Sequence, residues 1–358
     1  MLSEKRIKER IIKPSDSILH ALKIMDKIGV KSLLVIDQGT NYFKGVLSIG
    51  DIQRAIINNI SMQNSISGIL RHNPRVSFVN SSVEQIKSEM IRFRMEFMPV
   101  VDEHQKVIRI YFWEDLFGEK SYLPIKQFQL PVVIMAGGLG TRLRPFTNVL
   151  PKPLFPLSER TIIEEIIDRF KKHGCKEFYI SVNYKAELIE YYLKSLELDC
   201  NLHYFKENIP LGTAGSLHML KDQIKGTFFV TNCDIVIEQD YSEILDYHLT
   251  NKNEFTIVAV LKHLPIPYGT LDTGKNGKLL NLTEKPEIIF KINSGMYIME
   301  SHLLKEIPKN QLFHITTLIE NIKAKNAKIG VFPVSSGFWL DIGNWKELID
   351  FYKNDAKR

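Results

Sequence analysis

The chain has 358 residues, 44% of them apolar and 25% charged, with a formal net charge of +6. That length suits two or three domains rather than one core, and the composition is that of a folded protein, not a disordered one. A charge this mild and scattered argues against nucleic-acid binding. The apolar stretch Val132 to Leu139 falls far short of the roughly 20 residues a membrane span needs. The charged opening MLSEKRIKERII holds no apolar core of signal-peptide length. Cys175, Cys200 and Cys233 are scattered, without metal-ligand spacing, and read as reduced thiols of a cytoplasmic protein.

The first 120 residues contain a repeat. Ser15 precedes the helical pattern ILHALKIM, and the strand SLLVID ends at Asp37. The strand FKGVLSI then leads to a helix opening near Asp51. The second copy runs through the helix SSVEQIKSEMIRF, the strands FMPVVD and VIRIYF, and a helix opening near Asp115. Asp37 to Asp102 spans 65 residues and Asp51 to Asp115 spans 64, so a βαββα unit is duplicated. The expected boundaries are 1–62 and 63–120 for the two copies, a linker at 121–130, and a second domain at 131–358. Residues 118–130, GEKSYLPIKQFQL, show no period and carry Gly and Pro.

This duplication, and the stretch GVLSIGDIQR in particular, resembles a tandem pair of cystathionine-beta-synthase (CBS) domains. The resemblance implies an adenine-nucleotide site in which Ser48 and Asp51 bind phosphate and ribose. The second copy keeps Asp115 but has Arg109 and Phe112 where the first has Gly45 and Ser48. An aspartate that opens a helix is also an ordinary N-terminal cap.

From Pro131 onward, short β-type runs alternate with helical patterns: VVIMA, TIIEEIIDRFKKHG, EFYISV, KAELIEYYLKSL, FFVTNCD, YSEILDYHL and FTIVAV. Such alternation predicts a mostly parallel sheet covered on both faces, with ligands at the carboxyl ends of its strands. The first strand runs into GGLGTRLRP. Its glycines admit close backbone approach, its N–H groups suit an anion, and Arg142 and Arg144 add charge. Ten residues past Arg142, PKP supplies Lys152. A dinucleotide fingerprint needs glycine where Leu143 stands, and a Walker loop needs Gly-Lys-Ser/Thr; neither fits.

GGLGTRLRPFT followed by PKPLFPL resembles the entry motif of the sugar-phosphate nucleotidyltransferases, and the likeness runs from about Val132 to Lys353. It implies an α/β fold with a mixed, mostly parallel Rossmann-like sheet, the nucleotide-diphospho-sugar transferase fold, behind the CBS pair. It also implies nucleotide contacts from Gly137, Gly138, Gly140 and Thr141, and from Gly212 and Thr213 in LGTAG. Asp234 and Asp341 would bind Mg2+, which prefers hard oxygen ligands. Arg142 would neutralise the β- and γ-phosphates and Lys152 would orient the α-phosphate. Lys285 would hold the acceptor phosphate, and Tyr268, Gly269, Glu284 and Asn293 the sugar.

The chemistry implied is in-line attack of a sugar 1-phosphate on the α-phosphate of a nucleoside triphosphate. PKP, LGTAG and the CBS pair together resemble the guanylyltransferases of legionaminic acid synthesis, which implies GTP and glucosamine 1-phosphate. Alternatives are a mannose-1-phosphate guanylyltransferase and a glucose-1-phosphate thymidylyl- or uridylyltransferase. A nucleotide sensor with an inactive transferase domain is a further one. A homodimer is expected from the CBS pair.

Overall fold

A computed structural model describes residues 2–37, 39, 42–118, 123–207, 209–343 and 345–355. The chain divides into Met1–Ile125 and Lys126–Arg358. Part of the expected linker, 119–122, lies outside the described residues. Phe128, also read as linker, stacks on His173 and on Phe229 at 5.0 and 5.6 Å and so packs in the second unit.

In the first unit the duplication is visible strand by strand. Ile11–Ile12 lies parallel to Ser32–Asp37, which pairs antiparallel with Tyr42–Ser48. Ser77–Phe78, Phe97–Val101 and Val107–Phe112 repeat that arrangement. Each antiparallel pair breaks register at the same place, after Val35 and after Val100. Leu34, Ile36 and Phe43 of one sheet join Phe97, Val101 and Phe112 of the other in one buried cluster, so each copy covers the other's apolar face. The helix Ile18–Ile28 is capped by Ser17, whose hydroxyl accepts from the His20 amide at 3.1 Å. Ser15, the expected start, lies two residues early. The helix expected near Asp115 is only Trp113–Phe117; Phe112 before it brings no hydroxyl cap, and Gly118 at φ 92° ends it.

In the second unit we number the strands of the large sheet β1 (Val132–Met135), β2 (Glu177–Val182), β3 (Asn201–Lys206), β4 (Thr227–Asn232), β5 (Phe255–Pro265), β6 (Glu287–Glu300) and β7 (Ile329–Ser335). Their order is β3-β2-β1-β4-β6-β5-β7, and only β6 runs antiparallel to its neighbours. β1 is buried on both faces. Val132 and Ile134 enter the cluster that holds Ile163, Ile166, Ile167 and Phe170 of the helix Ile162–Lys172. Val133 enters the opposite cluster, with Leu217, Leu304 and Leu318. This alternation is the two-residue period of a strand in a sheet covered on both sides.

The chain leaves β1 toward β2 on one side and returns at β4 on the other. The carboxyl ends of β1 and β4 therefore form a topological switch point, where open sheets of this kind bind ligands. The segment that follows LGTAG is a 3-10 turn, Gly215–Leu220. Among the described residues no helix is long and apolar enough to cross a membrane.

Phe170 is fully buried, 4.6 Å from the ring of Tyr241 and edge-on to Phe229. Phe170→Ala should cost about 3–5 kcal/mol of stability, read from the urea midpoint of the full chain.

Candidate active site

A cavity of about 890 Å³ opens at the switch point. Its floor is the turn that follows β1. Gly140 has φ of 60°, and a Cβ there would stand 2.8 Å from the Thr147 methyl. The Thr147 hydroxyl donates to the Gly140 carbonyl at 3.0 Å, which folds the turn back on itself. The turn carries Thr141 and Arg142 on a short 3-10 segment, Thr141–Leu143. Gly137, Gly138, Gly140, Thr141 and Arg142 all line the cavity.

Beside the turn, with its Cβ 3.5 Å from where a Gly140 Cβ would stand, Lys152 opens the 3-10 segment Lys152–Leu154, and its ammonium is ion-paired with Asp234 Oδ2. Asp234 follows β4, and the next residues pair antiparallel with Trp339–Asp341, with Ile235 aligned to Asp341. The Ile342 amide donates to the Asp234 carbonyl at 3.0 Å. Two aspartates from distant parts of the chain, Asp234 and Asp341, thereby line the same cavity. Among the described residues Asp234 Oδ1 is buried and has no hydrogen-bond partner. A buried acceptor left this way costs about 1–3 kcal/mol, and a hard cation is the ligand that suits it. Among the described residues no cluster of three or more His, Cys, Asp or Glu is arranged to hold a metal. A divalent ion here would therefore rest on two carboxylates and on substrate phosphates, the usual habit of Mg2+.

The LGTAG segment closes the far end. Gly212 has φ of 79° and a Cβ there would meet the Phe313 carbonyl at 2.7 Å. The amides of Ala214 and Gly215 both donate to that carbonyl at 3.1 Å. Thr213 Oγ1 accepts from the Ile315 amide at 2.9 Å, so its hydroxyl hydrogen is the part left for a ligand. Gly212 and Gly215 thereby serve close packing against 311–314.

Sequence reasoning missed Glu207. It is buried on the cavity wall, accepting from the Ser181 hydroxyl at 2.7 Å and from the Leu211 amide at 3.1 Å. Its partners lie on β2 and in LGTAG, so its role depends on tertiary contact that no local motif displays. Asn293 lies on β6 beside a break in register, where Ile257 faces Tyr297 but Ala259 faces Asn293. Such bulges re-aim side chains, and here Asn293 reaches the cavity with its Oδ1 accepting from the Gly295 amide at 3.0 Å.

The other expected sugar residues lie elsewhere. Tyr268 is exposed, and Gly269 and Glu284 face each other at the base of the exposed hairpin Thr270–Thr273 and Leu279–Thr283. Neither they nor Lys285 line the cavity. A sequence motif carries the residue types but not the direction in which a hairpin projects. In the first unit, Ser48 and Asp51 form a capping box on the helix Ile49–Ile57. Asp51 Oδ2 accepts from the Ser48 amide and hydroxyl at 2.8 and 2.6 Å. Its Oδ1 meets Arg54, and Arg71 Nε at 3.0 Å. A ligand at Asp51 would have to displace one of these arginines. Asp115 Oδ2 accepts from the Phe112 amide at 3.3 Å, and its Oδ1 lies 3.5 Å from Arg6, whose guanidinium covers the Phe112 ring.

Residues 131–358 match the family described as nucleotidyl transferase, and residues 8–58 match the CBS domain. A mannose-1-phosphate guanylyltransferase catalytic subunit beta from Dictyostelium discoideum is 32% identical over 64% of this chain and 66% of its own. A probable mannose-1-phosphate guanylyltransferase 1 from Oryza sativa subsp. japonica is 32% identical over 62% of this chain and 63% of its own. The chain thus spans just under two thirds of the length of these relatives. The crystal structure of HddC from Yersinia pseudotuberculosis, 25% identical, superposes with a TM-score of 0.50 over 63% of this chain and 99% of that one.

Cys233 lines the cavity next to Asp234, and burial, reinforced by that carboxylate, pushes its thiol up to about 12. At pH 8 the folded protein then holds on the order of 1,000-fold less thiolate at this site than a free cysteine would. Iodoacetamide at pH 8 should leave Cys233 unmodified in the native protein and alkylate it in urea, as read by peptide mass spectrometry.

Proposed function

The chain belongs to the nucleotidyl transferase family, and we propose that it transfers GMP from GTP to a hexose 1-phosphate, releasing pyrophosphate. The observation that carries this reading is the meeting in one cavity of Arg142 and Lys152 with Asp234 and Asp341. Such a set serves charge neutralisation between two polyanions and contains no nucleophile of its own. None is needed. The second pKa of a phosphate monoester is about 6, so the acceptor oxygen is anionic near pH 7.

An oxygen of the sugar 1-phosphate attacks the α-phosphorus, the bond to the β-phosphate oxygen breaks, and pyrophosphate departs with that electron pair. Arg142 neutralises the β- and γ-phosphates in the glycine turn, and Lys152 orients the α-phosphate for in-line attack. Alignment of the two substrates is worth roughly 7–11 kcal/mol, and fixed cations aimed at the leaving group add to it. Asp234 and Asp341 are the residues that would hold a divalent cation such as Mg2+, which when bound supplies further charge neutralisation. Asn293 is the residue proposed to meet the sugar. Glu284 and Lys285 lie outside the cavity walls and are given no step.

Glu207 supports the choice of guanine. Its carboxylate offers only acceptors, while the guanine edge presents N1–H and the 2-amino group as adjacent donors. Uracil and thymine present a single N–H between two carbonyls. For the acceptor we propose glucosamine 1-phosphate, from the pairing of a CBS module with this transferase. Mannose 1-phosphate is the second reading, favoured by the names of the relatives.

The test is pyrophosphate release from each of the four nucleoside triphosphates and dTTP, crossed with glucosamine, mannose and glucose 1-phosphates in Mg2+. GTP should exceed the others, and absence of release with every pair contradicts the reading. Asp234→Asn should lower kcat by about 100- to 1,000-fold, by analogy with lost electrostatic donors. Glu207→Gln should narrow the preference for GTP over UTP by about 10-fold or more; an unchanged ratio removes Glu207 from base selection.

A further inference from the structure

We propose that the C-terminal helix Trp345–Asp355 is a clasp that fixes the two cation-bearing segments against Asp341, with Trp345 and Tyr352 as positioning residues for the triphosphate. This rests on the reading of Arg142 and Lys152 as its phosphate ligands. The helix begins four residues after Asp341. Its first residue, Trp345, donates its indole N–H to the Arg144 carbonyl at 3.2 Å, and its ring lies 4.9 Å from that of Phe146. Arg144 is the residue at which the Arg142 segment ends. Two turns along the helix, the Tyr352 hydroxyl donates to the Pro156 carbonyl at 2.7 Å. Pro156 lies four residues after Lys152, on the chain leaving its 3-10 segment.

Trp345, Leu348 and Tyr352 are spaced i, i+3, i+7, which puts them on one face. Leu348 is buried in the main core and Trp345 packs against it, and these contacts seat the helix. The two polar contacts on either side of it are made to main-chain carbonyls, one on each cation-bearing segment. A helix that only covered core would have no need of them. Their effect is to tie the Arg142 turn and the Lys152 turn to one helix, which begins four residues after Asp341. Loosening either turn would move its cation away from the phosphates it is proposed to hold, so this tie bears on triphosphate binding as well as on folding. The sugar end of the cavity, at Asn293, is reached from β6 and makes no such contact with the helix among the described residues.

The experiment uses the full chain with Trp345→Phe, which keeps the ring and loses the N–H, with Tyr352→Phe, and with both together. Each single variant should raise KM for GTP about 3- to 10-fold, the range one lost hydrogen bond spans, with KM for the sugar 1-phosphate within about twofold of wild type. Calorimetric titration with tripolyphosphate should show the double variant binding roughly 10-fold more weakly. Equal tripolyphosphate affinity, or a fall in kcat with both KM values unchanged, overturns the clasp. Wild-type protein that binds tripolyphosphate but releases no pyrophosphate with any substrate pair overturns the transferase reading instead, and the titration still decides the clasp.

Discussion

The ion pair between Lys152 and Asp234 is the contact on which the rest of the cavity depends. Both side chains are largely withdrawn from water, and a charge in that position must be paired or change its protonation state. Pairing satisfies one oxygen of Asp234 and leaves the other buried with no hydrogen-bond partner among the described residues. A stable fold gains nothing from that arrangement, and a site for a cation and phosphates does. The strand pairing that sets Ile235 against Asp341 brings the second carboxylate to the same wall.

Around this pair, the cavity is built by backbone coming close to backbone. The Gly140 turn is closed by Thr147, and the Gly212 segment by 311–315. A side chain at either glycine would push apart the walls of the cavity. The sheet sets the frame for both, because the carboxyl ends of β1 and β4 diverge where the crossovers reverse direction. The first unit follows a different logic. Its two copies complete each other's core, and the Asp51 carboxylate of its capping box is engaged by Arg54 and Arg71.

The repeat was legible because its period survives as equal spacing between strand-end aspartates, and the strands because they are apolar, β-branched runs. Arg142, Lys152, Asp234 and Asp341 were legible because each sits in a long motif at a strand end or turn. Glu207 and Ser181 were not, since their partnership spans 26 residues and exists only once β2 and β3 pair. Tyr268 and Glu284 read as sugar-binding residues from their motifs, yet they sit at the base of an exposed hairpin and outside the cavity lining, a placement set by tertiary structure rather than by residue type. Ser15 and Ser17 differ by a register of two, and only the geometry of the cap decides between them.

If Lys152 and Asp234 act as one unit, removing either should forfeit what both supply. A double-mutant cycle on kcat/KM with Lys152→Met and Asp234→Asn measures this directly. The account predicts that the double variant is no worse than the poorer single variant to within about threefold. Losses that multiply would show two independent charges that merely lie close together, and would contradict it.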